Sequence, residues 1–141
     1  MKLLMIDDHA LFRSSFELLL GVLLPPMFSR LHMTQAANVP QALSSVATGN
    51  SYDLVFVDWY MPHMSGIEAL TRLREALPDA RLVVLSGDTS PKLMHQCIEY
   101  GASGFIPKDS TANQLTAALS IIMGGGVYLP SYVPSSVCSK S

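Results

Sequence analysis

Charged residues are scarce in this chain of 141 residues, and the basic ones form no run. Only 14% of the residues are Asp, Glu, Lys or Arg, and nine Lys and Arg against eleven Asp and Glu leave a net charge of −2. Proteins that bind nucleic acid usually carry basic patches that follow the phosphate backbone. The chain by itself is therefore a poor candidate for binding nucleic acid.

Cysteine and long apolar runs are also nearly absent. The two cysteines, Cys97 and Cys138, are forty-one positions apart, which fits neither a disulfide framework nor a set of metal ligands and suits a reducing cytoplasm. The four apolar residues at 3–6 are too few for a signal peptide, and no run approaches the length of a membrane span. We expect a cytoplasmic protein without a membrane segment.

Apolar residues, by contrast, make up 49% of the chain, far more than in disordered proteins. Three short runs, at 3–6, 54–57 and 82–85, are apolar without alternation. This pattern is typical of strands buried on both faces of a parallel sheet, although a short buried helix produces it too. Their β-branched residues favour strands, and weaker strands are predicted at 31–36 and 103–106.

Segments with helical spacing of apolar residues separate these strands. Ser65 with Glu68, and Thr111 with Gln114, have the spacing of capping boxes, and Pro91 fits the first turn of a helix. The other predicted helices are a first helix that ends at Leu24-Pro25-Pro26-Met27 and one near 39–47, and the helix that contains Pro91 is predicted over 90–100. Five alternations of strand and helix predict parallel βαβ units in a three-layer α/β/α sandwich.

Polar residues stand directly after four of the predicted strands. Asp7 and Asp8 follow the first strand, Asp58 the third, Ser86 the fourth and Lys108 the fifth. Each alone has an ordinary explanation as a turn former, a helix cap, a loop residue or a solvated charge. Because open parallel sheets bind ligands at the carboxyl ends of their strands, these positions together favour one shared site.

Three carboxylates in one crevice would repel one another unless a cation neutralised them. Mg²⁺ prefers oxygen ligands, keeps several waters and takes one or two carboxylates directly. We therefore predict Asp8 and Asp58 as direct ligands, with Asp7 acting through water. A carboxylate beside Mg²⁺ can attack phosphorus to form an aspartyl phosphate, and Lys108 and the Ser86 hydroxyl would then bind the phosphoryl oxygens.

The strongest motifs of the sequence lie around these residues. They are Ile6-Asp7-Asp8-His9, Val57-Asp58-Trp59-Tyr60-Met61-Pro62-His63-Met64-Ser65-Gly66, Leu85-Ser86-Gly87 and Gly101-Ala102-Ser103-Gly104-Phe105-Ile106-Pro107-Lys108. Together they closely resemble the response-regulator receiver family, the CheY-like domains of two-component signalling. The resemblance covers residues 1 to about 127, so we predict a receiver domain over 1–127. A linker or truncated connection to an absent output domain is predicted over 128–141.

The resemblance implies a flavodoxin-like, doubly wound, five-stranded parallel sheet of order 2-1-3-4-5. It also implies that Asp58 accepts a phosphoryl group from a phosphohistidine of a sensor histidine kinase. Asp7, Asp8 and Asp58 would hold Mg²⁺, with the backbone carbonyl of Tyr60 as a further ligand. Lys108 would contact the phosphoryl group.

A switch is implied by the same resemblance. Ser86 and Phe105 match a hydroxyl and aromatic pair that rearranges together and alters the face made by the fourth helix, fifth strand and fifth helix. Phe105 also has a plain explanation as ordinary packing in the core or on the surface. Tyr60 and Asp88 stand at the positions that flank the phosphoryl group in this family, and they are expected to tune its hydrolysis.

Two further patterns are similar to receivers that precede a LuxR-type helix-turn-helix domain, the NarL/FixJ type. They are Asp-Asp-His-Ala-Leu-Phe-Arg at 7–13 and Gly-x-x-Tyr-Leu-Pro at 125–130. This similarity implies transcriptional control, in which DNA is contacted only through such a C-terminal domain. Homodimerisation is a further expectation, because receivers of this kind often dimerise.

The same residues disfavour three other functions. A phosphohydrolase with an aspartyl-phosphate intermediate needs a second carboxylate two residues after the nucleophile, where this chain has Tyr60, so we expect no enzyme. A flavin module needs a phosphate-binding loop where Asp7 and Asp8 would repel phosphate. A receiver-like adaptor that works without phosphate is disfavoured, because the site is complete.

Overall fold

The computed structural model describes residues 1–23, 32–62 and 64–130, in which strands and helices alternate. The elements in chain order are β1 Lys2–Ile6, α1 Ala10–Leu23, β2 His32–Ala36, α2 Val39–Ala47, β3 Leu54–Asp58, α3 Gly66–Ala76, β4 Arg81–Ser86, α4 Pro91–Glu99, β5 Gly104–Pro107 and α5 Ala112–Met123. All five predicted strands and all five predicted helices are therefore present. The Pro25-Pro26 pair and Leu31 lie outside the described residues.

The strands form one parallel sheet in the order 2-1-3-4-5, which confirms the predicted flavodoxin-like topology. Ile6 is level with Val57, and Ser86 is level with Pro107. The carboxyl ends of β1, β3, β4 and β5 therefore meet at the same edge of the sheet. This register decides which polar side chains can reach one another.

Two apolar cores lie on opposite faces of the sheet, and they explain why the strands are apolar without alternation. Leu4 and Ile6 of β1 point to the core that contains residues of α2, α3 and α4. Leu3 and Met5 point to the core that contains residues of α1 and α5. Successive side chains of a strand point to opposite faces, so both parities must be apolar when both faces are covered.

The helix starts follow from side chains that accept hydrogen bonds from free backbone N–H groups. At α5, Thr111 and Gln114 form the complete capping box that the sequence predicts. At α3 only half of the predicted box is present: Ser65 accepts from the Glu68 N–H at 3.1 Å. The Glu68 carboxylate instead pairs with Arg72 at 2.9 Å, one turn further along the helix.

The chain turns back on itself after α5. Gly125 has a φ of +93°, which favours glycine, and its N–H donates to Ile122. Residues 127–130, which we call the C-terminal strap, then run beside β5. The Tyr128 N–H donates to the Ser103 carbonyl at 3.0 Å, and the Phe105 N–H donates to the Tyr128 carbonyl at 3.0 Å. Residues 128–130 thus pack on the sheet edge, whereas 131–141 lie outside the described residues.

Within residues 1–23, 32–62 and 64–130, none of the helices has both the length and the apolar content that a bilayer crossing requires.

Candidate functional site

Two buried carboxylates form the centre of the site. Asp7 follows β1 and is 0% exposed, and Asp58 ends β3 and is 2% exposed. The Asp7 carboxylate accepts from the His9 N–H at 2.7 Å, and the Asp58 carboxylate accepts from the Tyr60 N–H at 3.2 Å. These local bonds fix the direction of both carboxylates. Because the donors are neutral backbone N–H groups, the negative charge of each carboxylate is not neutralised.

Lys108 supplies positive charge to both carboxylates. Its Nζ donates to Asp7 Oδ2 at 2.9 Å and lies 3.3 Å from Asp58 Oδ2. The backbone N–H of Lys108 donates to the Ser86 carbonyl at 2.9 Å, because the β4–β5 pairing continues to this residue. The structure thus brings together the residues that the sequence places at the ends of β1, β3 and β5.

Burial raises the pKa of Asp58, and the neighbouring charge of Asp7 raises it further. Lys108 and the Tyr60 N–H lower it in part, but the net pKa of Asp58 is raised. For Lys108, burial lowers the pKa, yet its hydrogen bond to Asp7 and the charge of Asp58 outweigh burial and raise it. Both directions indicate a site with more negative than positive charge.

This excess charge suits a cation. Asp7, Asp8, His9 and Asp58 each place one ligand atom within 4.8 Å of the others, so this cluster could hold a metal ion. Three of the four groups are carboxylates, the hard oxygen ligands that Mg²⁺ prefers. Asp8 and His9 are the exposed members, with side chains 31% and 66% exposed. The donor set therefore fits Mg²⁺, while the carbonyl of Tyr60 as a further ligand stays a prediction.

His9 was not among the residues predicted for the site. Its Nδ1 lies 3.1 Å from Asp7 Oδ1 and 3.2 Å from Asp8 Oδ1. Its position directly after the two aspartates was the available signal. A second missed residue is Phe12 of α1, whose ring lies under the Lys108 ammonium with Nζ 4.6 Å from the ring centroid.

Ser86 is buried at the end of β4, and its hydroxyl accepts from the Asp88 N–H at 2.9 Å. Asp88 in turn accepts from the Tyr60 hydroxyl at 2.9 Å and from the Ser90 N–H at 3.1 Å. The hydrogen bond to Asp88 raises the pKa of Tyr60. The two residues predicted to tune hydrolysis are thus joined, and Ser90 links them to the start of α4.

Phe105 is 0% exposed, with its side chain in the same core as Met94 and Cys97 of α4. The ring therefore points inward, and its part in a switch stays a prediction. Cys97 is equally buried, and burial raises the pKa of its thiol to about 12. This thiol stays protonated and unreactive at neutral pH.

The sequence model of the family described as the response regulator receiver domain matches residues 3–120. The chain therefore belongs to this family. It is thus a receiver domain of a two-component response regulator, a class that acts with histidine kinases.

The curated relatives include transcriptional regulatory proteins. The glycerol metabolism activator of Pseudomonas putida is 35% identical over 129 residues, which are 92% of this chain and 57% of that protein. The transcriptional regulatory protein UhpA of Salmonella typhimurium is 34% identical, over 89% of this chain and 60% of that protein. This chain thus spans less than two thirds of the length of either one.

A solved structure is similar to this chain in both sequence and fold. The LuxR family DNA-binding response regulator from Silicibacter pomeroyi is 32% identical, with a TM-score of 0.78, over 92% of this chain and 97% of that one.

Proposed function

We propose that this chain is a phosphoacceptor switch in which Asp58 takes a phosphoryl group from a phosphohistidine of a sensor histidine kinase. The observation that carries the proposal is the buried pair of Asp7 and Asp58, bridged by one ammonium group of Lys108. A buried carboxylate without a full partner is a nucleophile, and the lysine beside it is a ready counterion for a phosphoryl group.

In the proposed transfer, an Asp58 carboxylate oxygen forms a bond to phosphorus while the N–P bond of phosphohistidine breaks. The electron pair of that bond stays on the imidazole nitrogen of the kinase, and Asp58 becomes an acyl phosphate. Asp8 and Asp58, with Asp7 through water and the Tyr60 carbonyl, would hold Mg²⁺, which would neutralise part of the charge on the carboxylates and the phosphoryl group. Lys108 would exchange Asp58 for a phosphoryl oxygen.

The same reaction gives a route to a conformational change. The Ser86 hydroxyl, which accepts from the Asp88 N–H, would turn to donate its own O–H to a phosphoryl oxygen, and Asp88 is bonded to Ser90 at the start of α4. Movement of Ser86 would therefore reach the face made by α4, β5 and α5, where Phe105 lies. An added dianion biases such a two-state element through new charge-assisted bonds.

We further propose a transcriptional output in the bacterial cytoplasm, because the relatives include transcriptional regulatory proteins. DNA would be contacted through a helix-turn-helix domain of the LuxR type, and pairing of two copies is part of the proposal. The domain would not act as an enzyme on external substrates, since Tyr60 stands where a phosphohydrolase needs an acid.

Intact-mass spectrometry after incubation with acetyl phosphate and Mg²⁺ tests the proposal. We expect one added, acid-labile phosphoryl group on the wild type and on Asp79→Asn, a control that removes an exposed carboxylate in the loop before β4. We expect none on Asp58→Asn. Undiminished labelling of Asp58→Asn would overturn the assignment, and an unlabelled wild type would favour the adaptor that works without phosphate.

A further inference from the structure

The ammonium of Lys108 has a third partner besides the two carboxylates. Its Nζ lies 4.6 Å from the centroid of the Phe12 ring in α1. The face of an aromatic ring carries negative charge density and attracts a cation, most strongly where water is excluded. The Lys108 side chain is only 24% exposed, so little water competes with the ring.

The Phe12 ring is itself held in place by other rings. It stacks on Phe16 with centroids 5.7 Å apart and planes 20° from parallel. Phe16 meets Phe56 edge to face at 4.9 Å and 76°. Phe56 lies fully buried in β3, two residues before Asp58. We call these three rings the aromatic column, and it runs from the sheet to the ammonium.

Ordinary packing does not fix the end of Lys108. A cavity of about 120 Å³ lies between α1 and α5 beside the lysine, with Phe12, Leu19 and Leu115 in its wall. A four-carbon side chain beside such a space keeps some freedom, so the position of its ammonium depends on the groups that contact it. The ring face adds a third contact for the ammonium, besides those with the two carboxylates.

We propose that Phe12 is a positioning residue for phosphoryl transfer, because its ring holds the Lys108 ammonium where the phosphoryl oxygens on Asp58 will lie. The inference rests on the proposed function of Asp58. A preset positive charge accelerates transfer because it needs no reorganisation when charge develops on the oxygens. The aromatic column provides this presetting through α1, and Arg13 of the same helix donates to the Asp7 backbone carbonyl.

Graded fluorination of Phe12 tests the inference, because ring fluorines weaken the negative face and hardly change the shape. The protein is made with one, two or three fluorines on this ring, and the rate constant for phosphorylation by acetyl phosphate with Mg²⁺ is measured by intact mass. We expect a stepwise fall of roughly threefold to tenfold over the series. Phe12→Trp, with a ring that binds cations more strongly, should keep the wild-type rate or exceed it.

Leu19→Ala is the matched control for loosened packing. Leu19 lines the same cavity from α1 and has no ring, so this variant should unfold at a lower temperature but keep its rate constant. An NMR measurement without phosphate donor gives an independent readout. The Lys108 side-chain protons should show a ring-current shift that disappears in Phe12→Leu.

Three results would overturn the inference. If the wild type is labelled on Asp58 but the rate constant does not change with fluorination, Phe12 has no positioning role. The proposed function would then still stand. Absence of the ring-current shift would show that the ring and the ammonium are not in contact. A wild type that takes no phosphoryl group would remove the proposed function, and the positioning role with it.

Discussion

At the scale of single residues, Asp58 is a carboxyl group whose charge destabilises the folded chain. Its pKa is raised by burial and by Asp7, so the folded protein holds this proton more tightly than the unfolded protein does. The contribution of such a group to stability is fully present below the unfolded pKa and is lost as the pH rises through the folded pKa. At neutral pH the charged side chain therefore costs stability.

Replacement of Asp58 by asparagine should remove this cost. We expect Asp58→Asn to raise the free energy of unfolding at pH 7, without divalent cations, by on the order of 1 kcal/mol. The difference from wild type should shrink as the pH falls through the folded pKa of Asp58, where the wild-type carboxyl group is protonated too. Urea titrations at several pH values measure both effects.

The surface variant Asp79→Asn is the control for the Asp58 measurement, because its exposed carboxylate should give no comparable gain. Destabilisation by Asp58→Asn at pH 7 would contradict the expectation. It would mean that the pairing with Lys108 outweighs the burial of the charge.

The fluorescence of Trp59 should report cation binding at the neighbouring carboxylates. Trp59 is the one tryptophan of the 141 residues, it follows Asp58 directly, and its ring packs so closely on Gly66 that a Cβ there would collide with it. We expect Mg²⁺ to change Trp59 fluorescence in the wild type and to bind at least roughly tenfold more weakly to Asp8→Ala. An unaltered titration of Asp8→Ala would count against Asp8 as a ligand.

At the scale of elements, the C-terminal strap behaves as a short sixth strand. Tyr128 packs on the core beside α5, and Leu129 packs on the core beside α4, so successive side chains take opposite faces as in a strand. The strap also accepts the Phe105 N–H. It thereby covers backbone groups at the edge of β5 that would otherwise face solvent.

A proline at position 128 should release the strap, because it removes the N–H that donates to Ser103. We expect Tyr128→Pro to lower the free energy of unfolding by about 1–2 kcal/mol and to speed hydrogen exchange of the Phe105 amide. Val127→Pro is the matched control, since Val127 is 56% exposed and its N–H makes no backbone bond within residues 1–23, 32–62 and 64–130. Equal exchange at Phe105 in both variants would show that the strap does not protect β5.

Elements that depend on side chains leave a clear pattern in the sequence, whereas elements that depend on backbone pairing do not. Strands and helix caps were predictable because they depend on side chains, such as the apolar runs and the Thr111 hydroxyl. The prediction of a linker over 128–141 rests on the composition that begins at Gly124-Gly125-Gly126, and the edge pairing of Tyr128 uses backbone groups that leave no pattern in the sequence. At α3 the pair Ser65 and Glu68 has the right spacing, but Arg72 one turn away competes for the glutamate.

At the scale of the whole molecule, the sheet order came from the family resemblance, since the apolar pattern does not specify which strands are neighbours. The meeting of Asp7, Asp58 and Lys108 needed only the rule that parallel strands end at one edge. The contact of Phe12 with Lys108 could not be predicted in this way. It depends on how α1 lies against β5, and helix packing follows from the shapes of many side chains together.

Lys108 is shared between two buried carboxylates, and this sharing makes the site sensitive to its total charge. One ammonium group cannot neutralise three carboxylates, but a single divalent cation beside it would bring the site to electroneutrality. Under the proposed function, a phosphoryl dianion would then add negative charge and draw the ammonium from Asp58 to a phosphoryl oxygen. The separation of Lys108 from Asp58, 3.3 Å in this structure, would thus report whether the site carries the phosphoryl group.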